Sequence, residues 1–342
     1  MKKVSLKDIA ERLNVSKTTV SFVLNGKAKE NHISEAMTQK ILHYAKEVGY
    51  MPNQLAKGLR TGETKILGVM VEDISDPFFS SITRTIEEQA YQKGYKIVYC
   101  STENDPVKTK ELLEVYKSRQ VDGFIIAPPP GVEQEVQSLL DSGLPLVLFD
   151  RYFPNIPTAN VVVDNLASAH RAAQHLVFNN YRQIAFITLD SEQNQMQERL
   201  TGYMKAMDEN EQKHHIRKIP FDMPYSQVVQ TIEAYLGQHP FIDAVLFSTS
   251  YLADGGLEAI KNLNLRIPHD MGVVVFDDEK LFRLFTPSIT AVAQPIKEIA
   301  STAVDLLLNQ ITSGQKQLVN KTTILPATLL ERDSSVAALA KP

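Results

Sequence analysis

The chain has 342 residues, 43% of them hydrophobic, with a formal net charge of −4 and a single cysteine. At ~150 residues per domain this length predicts two or three units with cores of their own, and one cysteine excludes a disulfide framework or a cysteine metal cluster. No apolar run approaches the ~20 residues of a membrane span and the basic N-terminus lacks a signal-peptide core, so a cytoplasmic protein is expected.

Leu6, Ile9, Ala10 and Leu13 recur at helical spacing, which predicts a short helix over Lys7–Leu13, broken by Asn14-Val15-Ser16. Ser16 suits the N-cap of a second helix whose buried stripe is Val20, Val23 and Leu24, leaving Lys17, Thr18, Ser21 and Phe22 outward. Two short helices joined by a tight turn form a DNA-reading unit when the second enters the major groove; a bare pair also suits plain packing. A third helix is expected over Ser34–Val48, with Ile41, Leu42, Ala45 and Val48 inward and Gly49 as its end. In the next segment, GYMPNQLAKGLRTG (49–62), Gly58 costs roughly 1 kcal/mol of helix stability relative to alanine, so order there is expected to need a partner.

Residues 1–62 carry eleven Lys and Arg against five Asp and Glu, a surplus of six, which leaves the remainder of the chain at −10. A basic head on an acidic body suits a protein that meets phosphates at one end only.

Past residue 63, short apolar runs alternate with amphipathic stretches. ILGVMVE (66–72), KIVYC (96–100), GFIIA (123–127) and LPLVLF (144–149) read as buried strands, separated by helices such as Phe78–Lys93 and Val107–Arg119. QIAFIT (183–188), IRKIPF (216–221), DAVLFST (243–249) and GVVVF (272–276) form a second set. Two parallel sheets with crossover helices make two α/β lobes with a cleft between them, a body that resembles a periplasmic binding protein, and ligands bind such sheets beyond the carboxyl ends of their strands. The strand ends carry Asp73, Pro77-Phe78-Phe79, Asp150-Arg151, Asp164-Asn165 and Asp277-Asp278, with Arg199 on a helix. Carboxylates, amides, an arginine and aromatics around a cleft suit a polyhydroxylated ligand. Asp164 and Asp278 read equally well as helix caps, and Phe78 and Phe79 as core residues.

DIAERLNVSKTTVSFVLNG followed by GYMPNQLAKGLRTG closely resembles the headpiece and hinge of the LacI/GalR (lac repressor/galactose repressor) family of bacterial transcription regulators, and the likeness continues along nearly the whole chain. The resemblance implies a homodimer on a pseudo-palindromic operator, with Lys17, Thr18, Ser21 and Phe22 reading bases and Tyr50, Asn53, Ala56 and Leu59 in or beside a hinge that folds in the minor groove. By the same resemblance, Leu59 is expected to be the residue wedged between base pairs. Phe22 stands where the family usually has arginine; it cannot grip guanine with two hydrogen bonds but can pack on a thymine methyl. The loop from Gly26 to Ile33 is longer than in many relatives.

For the cleft, the resemblance places effector contacts on Phe78, Phe79, Asp150, Arg199, Thr249, Asp277 and Gln294. Thr249-Ser250 replaces a usual Asn-Asp pair, and Val275 a glycine. Arg199 would also serve an acidic ligand, so sugars, sugar acids and sugar phosphates all stand as effectors.

The implied division is a helix-turn-helix headpiece at 1–49, a hinge at 50–62, a two-lobed effector-binding and dimerisation core at 63–332 and a tail at 333–342. The first lobe takes about 63–163 and 294–321, the second about 164–293 and 322–332. No Gly-rich phosphate loop, HExxH or GxSxG pattern occurs, and neither enzyme activity, a metal nor a cofactor is expected. A transport receptor would explain the two lobes and leave the headpiece unexplained. The regulator reading predicts a repressor of carbohydrate genes; activation, the direction of the effector's action and a protein co-regulator on the first lobe stay open.

Overall fold

The computed structural model describes residues 4–50, 63–313 and 321–336. The chain divides into two units, Met1–Thr64 and Lys65–Pro342.

Among its described residues the first unit has three helices, α1 (Leu6–Leu13), α2 (Lys17–Leu24) and α3 (Glu35–Glu47). Each starts on a serine whose side chain accepts a backbone N–H: Ser5 in a reciprocal capping box with Asp8, Ser16 from Thr19 at 3.0 Å, and Ser34 from Met37 at 3.3 Å. Asn14 ends α1 in the left-handed region at φ 52°, which turns the chain sharply into α2. Ile9, Ala10, Val20, Val23, Ala28, Ile41 and Ala45 form the core. Ala28 comes from the 26–33 loop, which is therefore tacked to the helices. Leu42, expected inside, is 40% exposed because the stripe of α3 runs through Ile41 and Ala45 instead.

The second unit holds two six-stranded sheets. The first contains β1 (Ile66–Val71), β2 (Lys96–Ser101), β3 (Gly123–Ile126), β4 (Leu146–Phe149), β5 (Ala159–Val163) and β11 (Lys321–Leu325) in the order β11-β5-β4-β3-β1-β2, all parallel. The second contains β6 (Ile184–Leu189), β7 (His215–Ile219), β8 (Ala244–Phe247), β9 (Gly272–Phe276), β10 (Thr290–Ala293) and β12 (Thr328–Leu330) in the order β12-β10-β9-β8-β6-β7, parallel except for β12. The two orders correspond strand for strand, which makes β4 and β9 topological equivalents.

Helices α4 (Pro77–Gln92), α5 (Pro106–Ser118), α6 (Glu133–Asp141) and α12 (Ile296–Ser313) belong to the first lobe. The second has α7 (Asn165–Phe178), α8 (Asn194–Glu209), α9 (Tyr225–Gln238), α10 (Ser250–Asn262) and α11 (Lys280–Leu284). The apolar face of α12, Ile299, Ala300, Ala303, Val304 and Leu307, packs with α4 on the first sheet. Close packing in the second lobe depends on two glycines. A Cβ on Gly202 in α8 would lie 2.2 Å from the Leu166 carbonyl oxygen of α7, and one on Gly256 in α10 would lie 2.0 Å from the Phe247 ring of β8.

Several expectations need correction. KIVYC and IRKIPF are edge strands rather than buried ones: Val98 and Tyr99 of β2, and Arg217 and Lys218 of β7, are exposed. The run 321–325 pairs with β5, so the chain crosses to the second lobe after residue 325 and not at 321/322. Residues 333–335 are no tail. They form a turn of 3-10 helix in which Ser334 donates to the Val273 carbonyl at 2.6 Å, and both Ser334 and Ser335 are fully buried.

Candidate functional site

The headpiece places Lys17 and Thr18 on the exposed N-terminal turn of α2, with Ser21 and Phe22 half-buried one turn later. Asn25 donates to both the Ser21 carbonyl and hydroxyl, at 2.7 and 3.3 Å, so Ser21 is partly engaged by its own helix. Tyr50, expected at the start of the hinge, packs against the headpiece core, and its N–H donates to the Ala45 carbonyl at 2.8 Å. Asn53, Ala56 and Leu59 lie outside the described residues. An exposed α2 with a cation on its first turn can present side chains to base edges in a major groove.

The second site is the cleft at the carboxyl ends of the strands. All seven cleft residues expected from the sequence line one cavity: Phe78 and Phe79 at the start of α4, Asp150 after β4, Arg199 on α8, Thr249 after β8, Asp277 after β9 and Gln294 after β10. Asp150 and Asp277 occupy equivalent places in the two lobes, each directly after a phenylalanine and each in the left-handed region, at φ 64° and 79°. That geometry turns the chain sharply off the strand end, and aspartate tolerates it better than most side chains.

Arg199 is buried, with its Nε donating to the Asn165 side-chain oxygen at 2.9 Å and its Nη1 to the Ser248 carbonyl at 2.7 Å. Its guanidinium lies 3.6 Å from the centre of the Phe276 ring. Neutral acceptors and an aromatic face therefore hold a positive charge beside the cavity without neutralising it. Gln294 donates to Asp277 at 2.6 Å. Phe78 and Phe79 meet edge to face at 5.0 Å and belong to the first lobe's core as well as to the cavity wall.

Sequence reasoning missed Glu72, Asp76, Gln193, Gln195 and Tyr251, which also line the cavity, as does Ser250, noted there only as a departure from the family's pair. Two of them had a signal. Glu72 is a carboxylate closing an apolar strand, and Asp76 before Pro77 is an N-cap followed by proline at the first helical position; its Oδ1 accepts from the Phe78 and Phe79 amides at 2.9 and 3.2 Å. Asp73, expected at the strand end, instead folds back on Ser75 at 2.8 Å. Arg151 is buried behind the wall and paired with Glu72 at 2.8 Å. Asp164 ties two lobe crossings together, accepting from Ser168 at 2.6 Å and from the Ala327 amide at 2.8 Å. Asp278 pairs with Arg332 at 2.8 Å.

Burial, with Asp277 nearby, pushes the Asp76 carboxyl up to about 7. Burial raises Asp150 to about 6 against the opposing pull of Arg151 and Arg199, and raises Asp277 as well. The cavity volume is about 40 Å³, while one water takes about 30 Å³ in the liquid. A sugar-sized ligand therefore requires the lobes to part. A larger groove of about 630 Å³, lined by α9 and Arg217, lies on the outer face of the second lobe and contains none of these carboxylates.

Comparison with known proteins bears on both units of the chain. Residues 5–53 match the model of the bacterial regulatory proteins, lacI family, and residues 173–335 match a periplasmic binding protein-like domain. The ribose operon repressor of Halalkalibacterium halodurans is 31% identical over 97% of each chain. The sucrose operon repressor of Pediococcus pentosaceus is 31% identical over 96% of this chain and 98% of its own. Among solved structures, a lac repressor dimer bound to operator superposes with a TM-score of 0.85 at 24% identity, covering 98% of this chain and all of that one. A LacI family regulator from Enterococcus faecium with bound ribose gives 0.72 at 25% identity, covering 80% of this chain and all of that one. Full-length likeness to named repressors, with a helix-turn-helix ahead of two lobes, places the chain in the lacI family of bacterial regulatory proteins.

Proposed function

We propose that the protein is a repressor of carbohydrate genes that binds a pseudo-palindromic operator as a homodimer and is controlled by a small sugar-like effector in the inter-lobe cleft. The observation that carries this reading is the convergence of Phe78, Phe79, Asp150, Arg199, Thr249, Asp277 and Gln294 on one cavity, in a chain whose relatives are named ribose and sucrose operon repressors. Lys17, Thr18, Ser21 and Phe22 read bases. Residues 50–62 serve as the hinge, with Tyr50 anchoring it and Asn53, Ala56 and Leu59 meeting the minor groove. The protein acts in the cytoplasm, by binding and without catalysis.

Dimerisation is supported by an uncovered apolar surface on the first lobe, where Tyr91 of α4 and Val98 and Tyr99 of β2 are exposed. An edge strand with such residues invites pairing with a second copy. In this mechanism, effector enters the parted lobes and closes the cleft, and its leverage on the hinges is bounded by its differential affinity for the two states, about 1–3 kcal/mol. The test is fluorescence anisotropy on DNA from the protein's own upstream region, at fixed salt, with and without sugars. Selective binding that a sugar alters is the expected result; absence of selective binding overturns the reading.

A further inference from the structure

We propose that the effector carries a protonated amine: an amino sugar, or a comparable polyhydroxylated ammonium compound, held among Asp76, Asp150, Asp277 and Gln195. This rests on the reading of the cleft as a sugar-like effector site and narrows its chemistry. Four carboxylates, Glu72, Asp76, Asp150 and Asp277, line the cavity, and Arg199 is the cation among the lining residues. Arg151 lies behind them and is taken by Glu72 at 2.8 Å. The wall keeps an excess of negative charge after both arginines are counted.

Arg199 does not discharge that excess by contact. Its Nε and Nη1 go to Asn165 and Ser248, and among the described residues it has no carboxylate within 4.0 Å. Among the residues that line the cavity, the buried side-chain atom left without a hydrogen-bond partner is an acceptor, while the unpartnered donors nearby, Arg151 Nε and Nη1 and Asn194 Nδ2, belong to residues outside the lining. Among the described residues no hydrogen bond reaches the Asp150 carboxylate, whose nearest cation is Arg151 Nε at 3.7 Å. Both amide bonds to Asp76 fall on Oδ1, which leaves Oδ2. Gln195, 3% exposed, has an unpartnered Oε1.

These acceptors discriminate among ligand classes. A sugar acid or sugar phosphate brings further negative charge and finds Arg199 alone to meet it. A neutral sugar supplies donors without relieving the charge. An ammonium supplies three donors and a positive charge together, and hydrogen bonds from it to carboxylates are charge-assisted. Asp150 and Asp277, equivalent in the two lobes, then approach one cation from opposite walls as the cleft closes. A cation also draws raised carboxyl groups back toward ionisation, so binding near neutral pH releases protons.

The experiment uses the full chain at pH 7 and matched sugars: glucosamine, galactosamine and mannosamine, their N-acetyl forms, the parent hexoses, the uronic acids and the hexosamine 6-phosphates. Titration calorimetry reads binding, buffers of different ionisation enthalpy read proton release, and operator anisotropy reads the response. The expected result is an amine that binds at least about tenfold more tightly than its N-acetyl and parent partners, with proton release. Asp150→Asn should remove that preference. Asp76→Asn, which keeps the α4 cap because asparagine caps as well as aspartate, should weaken the amine by a similar factor if the first variant fails to fold. A neutral or acidic sugar that binds as tightly as its amine overturns the proposal and leaves the sugar-effector reading standing. Failure of every amine overturns the proposal; failure of every sugar overturns both.

Discussion

At the scale of single residues, the chemistry of the cleft was partly legible. Asp150, Arg199 and Asp277 were readable because they follow apolar strands or stand in a recognisable helix, and strand ends are where open sheets bind ligands. Gln195 gave no such signal, since an amide in a polar helix start looks like surface, yet it is 3% exposed. Arg151 was readable only as a neighbour of Asp150, yet its pair with Glu72 is a long-range contact between the segments that follow β1 and β4. Both side chains are nearly inaccessible, at 2% and 11% exposure, and Arg151 Nε and Nη1 have no hydrogen-bond partner among the described residues. Glu72→Ala should leave the buried guanidinium with only the longer Asp150 contact at 3.7 Å and cost up to about 3–5 kcal/mol, measured as a fall in the denaturant midpoint of the core. Asp76 gives a second test. Its folded-state value of about 7 lies above the ordinary 3.8, so between those values the native state holds more protons than the unfolded chain. Stability contributed by this group is present below pH 3.8 and declines as pH rises toward 7. The ligand-free protein should therefore melt at a higher temperature at pH 6 than at pH 8, and Asp76→Asn should reduce the difference.

At the scale of elements, caps were the most dependable signal. Ser16 was readable as the start of α2, and its side chain does accept from the Thr19 amide at 3.0 Å. Ser16→Ala should cost about 1 kcal/mol of headpiece stability and weaken operator binding; anisotropy that matches the parent protein would sink the assignment of α2 as the reading helix. Strand burial was misjudged for β2 and β7, because an apolar run looks the same whether a neighbour covers both its faces or leaves an edge open. Strands β5, β10, β11 and β12 were not anticipated, being short and flanked by segments that commit to no single period. Helix packing was not legible at all. The α7–α8 contact is as close as it is because Gly202 has no side chain, and Gly202→Ala would drive a carbon against the Leu166 carbonyl oxygen. Backbone yields less readily than a side-chain tip, so the variant should lower the core's thermal midpoint by an amount equivalent to about 1–3 kcal/mol.

At the scale of the whole molecule, the order of a basic three-helix unit ahead of two α/β lobes was legible from charge and rhythm, while the lobe boundary near residue 321 was not. Nothing local distinguishes a strand that finishes the first sheet from one that begins the last leg of the second; only pairing with β5 decides it. The dimer proposal belongs at this scale. Tyr99→Asp places a charge on an exposed edge strand and should turn the dimer into a monomer on sedimentation, with loss of tight operator binding as two half-sites cease to be bound together. A dimer that survives this change would move the interface elsewhere.

The same late strand has a bearing on how the protein is made. The first lobe's sheet gains its edge β11 from residues 321–325, more than 150 residues after β5 has been synthesised. The headpiece, complete in sequence by residue 50, can fold on the ribosome long before that edge arrives, since domains generally fold N-terminal first. A nascent chain thus owns its DNA-reading part before it owns a finished effector cleft, and any message cut short ahead of residue 321 would yield a reader of operators with no closed first lobe through which to be told to let go.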